Sequence, residues 1–167
     1  MVIRPACRSD KRGILVTGSG AGEHREAQPS NASLRPRSWG ADMKNLLTTT
    51  AVIEGGSGLF MVAFPSLAAT LLFGSPLDSP AGLTAGRSAG AALLAIGVAS
   101  WLMRDDGQSR AARRLVGALA LYNAAIVTIF VHAGLGLGVS ASGLWPGALV
   151  HAAMAVWCVV SLLRRQP

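Results

Sequence analysis

Residues 43–73 read "MKNLLTTTAVIEGGSGLFMVAFPSLAATLLF". From Asn45 to Phe73 the only ionisable side chain is Glu54. Crossing a bilayer as a helix takes about 20 predominantly apolar residues, so this stretch predicts a membrane span over 46–73. Three more apolar stretches follow, at about 84–103, 114–135 and 144–163, each near the same length. Composition agrees. Of the 167 residues 51% are hydrophobic and 14% charged, against about 25% charged in soluble domains, and mean hydropathy is +0.44. The expected fold is all-α: an integral membrane antiparallel four-helix bundle over 43–167.

Residues 1–42 differ in kind. They are rich in Arg, Ser, Gly and Pro, carry no helical or strand period, and are expected to be a disordered basic tail. Gly18, Gly20 and Gly22 follow a short apolar run, as in a dinucleotide-binding turn, but no second strand or amphipathic helix completes that unit. The tail lacks the early apolar region of a signal peptide. "MKNLL" at Met43 has the form of a natural start, so translation from Met43 is expected; the alternative is a genuine cytoplasmic tail touching anionic lipid. Cys7 and Cys158 lie in the tail and in an apolar run, without a CxxC pair or a disulfide framework.

The loops give the orientation. Lys44 precedes the first span, Arg104, Arg110, Arg113 and Arg114 fill the second loop, and Arg164 and Arg165 follow the fourth span. The first and third loops hold no Lys or Arg. The positive-inside rule then places both termini and the middle loop in the cytoplasm. Trp101 and Trp145 fall near opposite interfaces. Arginine outnumbers lysine thirteen to two, which with abundant Ala and Gly suggests a GC-rich bacterial genome and hence a bacterial inner membrane. The expected partners are the lipid bilayer and either a second copy or a larger membrane complex, with no nucleic acid.

Helices in lipid approach one another through small residues. Gly86, Gly90 and Gly97 form one stripe on the second span, and Gly147 with His151, Ala155 and Cys158 forms one on the fourth. Ionisable or strongly polar groups at membrane depth ask for a reason. Glu54 shares a face with Thr50, Ser57, Gly58 and Met61, so it points into the bundle, either as a structural acid or for proton or cation handling. Arg87 either snorkels outward or binds an acidic group. Asn123 is expected to make an interhelical hydrogen bond. The expectation is a small polar interior lined by Glu54, Arg87, Asn123 and His151. His132 and His151 at similar depth also permit bis-histidine haem ligation, although no cofactor is the primary expectation. No soluble-enzyme motif, phosphate loop or zinc spacing occurs, and no catalytic residue is assigned.

Glu54-Gly55-x-x-Gly58, Pro65, "LLFGSPLD" (71–78), Arg87-x-x-Gly90, Tyr122-Asn123, "LWP" (144–146) and His151 together resemble small four-span bacterial inner-membrane proteins, loosely those of the DoxX type. The resemblance covers 43–167 and implies association with redox complexes at the membrane. A second resemblance is to small multidrug-resistance exporters, which also have four spans and one glutamate in the first. It implies that Glu54 carries protons against cationic drugs. The single tyrosine and the strong charge asymmetry depart from that pattern. The function expected is a small binding or accessory membrane subunit, with a proton-coupled transporter and a haem-binding electron carrier as alternatives.

Overall fold

The computed structural model describes residues 38–107 and 109–164, with side chains from Ala41 onward. Every regular element among them is helical: α1 (Ser38–Ala63), α2 (Pro65–Phe73), α3 (Pro80–Met103), α4 (Arg110–Val131) and α5 (Leu144–Leu163). A 3₁₀ turn at Arg104–Asp106 leads towards α4, and a π-turn at His132–Gly136 extends its far end. Four segments are long and apolar enough to cross a bilayer: Ala41–Ala63, Pro80–Asp106, Arg110–Gly136 and Leu144–Leu163. The chain is a multi-pass membrane protein with the expected all-α architecture.

Four boundaries differ from the sequence reading. Helix α1 begins at Ser38, not at 43, because the turn before Met43 has partners: Asp42 pairs with Arg164 at 2.9 Å, and Met43 is buried. Of the expected tail, residues 1–37, including the glycine-rich run, lie outside the described residues. The span expected over 46–73 is two helices. Pro65 has no N–H and crowds the residue before it, which drives Phe64 to φ −132°, ψ 60°, out of the helical region. The second and third spans start earlier than expected, at Pro80 and Arg110. Each start has a serine cap: Ser79 Oγ accepts from Gly82 N and Ser109 Oγ from Ala112 N, both at 3.0 Å.

Helix α1 packs along α3, and α4 along α5, while the two pairs meet each other more sparsely. Two apolar clusters hold the pairs together. One, nearer the charged end, gathers Met43, Leu46, Leu47, Val116, Leu119 and Met154. The other, nearer the opposite end, gathers Phe130, Ala133, Leu144 and Ala148. The chain reversals are tied by backbone bonds, since lipid supplies no substitute partners. Gly74 ends α2 in the left-handed region at φ 77°, its N–H donating to Thr70 O, and Gly143 N donates to Leu71 O at 2.9 Å.

Candidate functional site

A polar layer lies between the two apolar clusters. Glu54 on α1 is only 4% exposed. Tyr122 Oη on α4 donates to its Oε2 at 3.1 Å. The edge of the Tyr122 ring meets the His151 ring on α5, with centroids 5.7 Å apart and planes at 82°. His151 Nδ1 lies 2.8 Å from Asn123 Oδ1, and Phe130 packs edge-on against the same imidazole at 6.1 Å. Four side chains from three helices thus form one connected group.

Their hydrogen bonds fix donor and acceptor roles. Asn123 Nδ2 donates to Leu119 O at 2.8 Å, so Oδ1 is left facing His151 as an acceptor. His151 Nδ1 is then the protonated nitrogen, and Nε2 keeps its lone pair in the neutral ring. Glu54 Oε1 accepts no hydrogen bond among the described residues. The free capacity of the layer is therefore mostly for accepting protons or donor groups.

The Tyr122–Glu54 bond and the Tyr122–His151 ring contact put these three side chains at one level of the bundle. At 1.5 Å per residue, His151 lies about 10 Å from the start of α5, on the side away from the basic loop residues. At the other end, Lys44 Nζ pairs with Asp105 at 2.7 Å and Arg113 Nη2 donates to Leu162 O at 3.3 Å.

Glu54, Asn123 and His151 come together as expected, and the Asn123 interhelical bond is present. Arg87 does not join them. It is exposed and makes no ion pair among the described residues, because about 100° per residue sets it about 60–100° off the glycine stripe that faces α1 and α2. This corrects the expected four-residue interior and fits the outward alternative. His132 is also exposed. Nine residues from Asn123, it lies on the opposite face of the helix from the side that touches His151. That geometry separates the two histidines considered as haem ligands. Among the described residues no cluster of three or more His, Cys, Asp or Glu side chains could hold a metal ion.

Tyr122, which is not among the four polar residues expected to line the interior, joins the two helix pairs. Its signal in the sequence is its place beside Asn123 inside an apolar span.

The expected packing glycines are in contact. A Cβ added at Gly90 would lie 2.8 Å from Gly58 O and Val62 N, and one at Gly97 would lie 2.7 Å from Gly55 N. At Gly86 it would meet Pro65 Cβ at 3.0 Å, and at Gly147 Phe130 Cε2 at 2.8 Å.

No protein-family model, curated protein or solved structure matches the chain.

Proposed function

We propose that this chain is a small binding or accessory subunit of a bacterial inner membrane, with both termini cytoplasmic. Its polar layer would receive a hydrogen-bond-donating group, from a small ligand or from a partner helix. The observation that carries this reading is the Glu54–Tyr122 bond. An acid at mid-depth costs at least about 2.5 kcal/mol to place in lipid, and here one oxygen is bonded across the helix pairs while the other accepts no hydrogen bond among the described residues. The resemblance to DoxX-type proteins is consistent with a subunit role in a larger complex. The orientation rests on Lys44, Arg104, Arg110, Arg113, Arg114 and Arg164 sharing one side.

Native mass spectrometry of mildly extracted protein tests the reading. A retained ligand or partner subunit is expected in the wild type and lost in Glu54→Leu, which removes both acceptor oxygens. Retention unchanged by that substitution overturns a role for the layer. Cysteines introduced singly at Ser75 and Ser140, in a background lacking Cys7 and Cys158, are expected to label from outside the cell, and one at Arg110 only after lysis.

The unfilled Glu54 oxygen favours a second reading, proton-coupled transport. Proteoliposomes would then show a proton flux driven by a transported solute and abolished in Glu54→Gln. Such a transporter is expected to act as a dimer, because four helices enclose little pathway.

A further inference from the structure

Outside the polar layer, the paired helices α1 and α3 leave an apolar cavity of about 190 Å³ on their outer side. Ala51, Val52 and Gly55 line it from α1, and Gly97 and Val98 from α3, with Trp101 at its end nearest the charged loop. It is smaller than the roughly 300–1,000 Å³ that drug-sized ligands occupy, and too small for a whole helix about 10 Å across. A segment of hydrocarbon chain suits it. From Leu94 to Trp101 it runs about 10 Å along α3 at 1.5 Å per residue, parallel to the direction in which lipid tails lie.

The end marked by Trp101 is built differently. The Arg104 guanidinium lies 3.6 Å from the Trp101 ring centroid. Its Nη1 donates to Trp101 O at 2.9 Å, and its Nε lies 3.5 Å from Asp105 Oδ2. Its Nη2 makes no hydrogen bond among the described residues. Lys44 Nζ reaches the other oxygen of Asp105 at 2.7 Å. Two cations therefore share the Asp105 carboxylate, with Asp106 next to it in the same turn. The stacking holds the arginine fork in place with donors to spare, a geometry suited to phosphate.

We propose that this groove is a phospholipid site. One acyl chain would fill the cavity between α1 and α3, and the lipid phosphate would sit on Arg104 and Lys44. The occupant is a membrane phospholipid, because the basic rim and the apolar slot are joined in one line along the helix axis. The site is separate from the Glu54 layer and stands without the functional reading above.

The test uses the full chain in mild detergent, delipidated and titrated with dioleoylphosphatidylglycerol by native mass spectrometry. One lipid per chain is expected to bind in preference to dioleoylglycerol, which lacks the phosphate, while glycerol phosphate alone is expected not to bind. Gly55 lines the cavity and a Cβ there meets nothing within 4 Å, so Gly55→Leu adds bulk to the cavity wall from an open position. It is expected to abolish the bound lipid, as is Val98→Phe, which serves if the first variant does not fold. Arg104→Gln is expected to weaken binding about tenfold, as for loss of a hydrogen bond to a charged group. Gly117→Leu, equally open but on α4, is expected to keep the lipid. Lipid retained in both plugged variants overturns the proposal. So does loss of a dimer instead of a lipid, which would make this face a contact between copies, and so does equal binding of the lipid without phosphate.

Discussion

The phenol of Tyr122 serves both halves of the polar layer, its oxygen on Glu54 and its ring edge against His151. Hydrogen bonds between helices in lipid average about 0.6 kcal/mol and reach about 1.7. A double-mutant cycle with Glu54→Leu and Tyr122→Phe, each of which removes the hydrogen bond, read by reversible unfolding in mixed micelles, is expected to give a coupling energy in that range. A value near zero would mean that the contact adds nothing to the fold. The tautomer of His151 is a separate expectation at the same scale. Nitrogen-15 spectra of labelled protein in bilayers should show the proton on Nδ1, and Asn123→Leu should remove that preference by removing the acceptor. Ser100 Oγ on α3 is the one buried side-chain nitrogen or oxygen among the described residues without a hydrogen-bond partner.

At the scale of the element, the seam between α1 and α3 is set by glycines with no room for a side chain. Gly90→Leu would drive carbon into Gly58 O and Val62 N. Overpacking of this kind costs about 1–3 kcal/mol and more where backbone must move, so Gly90→Leu is expected to lower the melting temperature sharply. Gly117→Leu on α4 is expected to be near neutral. Circular dichroism melts in detergent distinguish the two. The stripe on α3 was legible because its period alone puts Gly90 and Gly97 on one face. The break at Phe64–Pro65 was not, because an apolar run containing one proline stays apolar and hydropathy does not register a missing N–H. The outward aim of Arg87 follows from the angle between it and that same stripe. Which residue would bond Glu54 depends on how α4 is rotated against α1, and a single sequence does not carry that rotation.

For the whole molecule, span number and charge asymmetry were readable because they depend on length, hydropathy and the placement of arginines alone. The depth shared by Glu54, Tyr122 and His151 was only partly readable, since it needs the true helix ends. Separation of the apolar core into two clusters with polar groups between them gives the bundle a narrow waist of hydrogen bonds. The two helix pairs are expected to hold as hairpins when that waist is weakened. A chain divided at Gln108, with both fragments co-expressed, is expected to reassemble into a complex that co-purifies. Tyr122→Phe should lower the yield of that complex and leave each fragment in the membrane. Failure of the unmodified halves to associate would show that the loop, not the packing, holds the pairs together.

The unequal contact between helices also bears on biosynthesis. The α1–α3 seam is complete once residue 103 has left the ribosome, and it needs nothing from α4 or α5 to close its glycine contacts. Glu54 therefore enters the bilayer before Tyr122 has left the ribosome. For that interval the acid has no α4 partner, and it must take its hydrogen bond from water, from the insertion machinery or from another protein. The nascent first hairpin is thus the stage at which a chaperone for this membrane protein would have most to recognise.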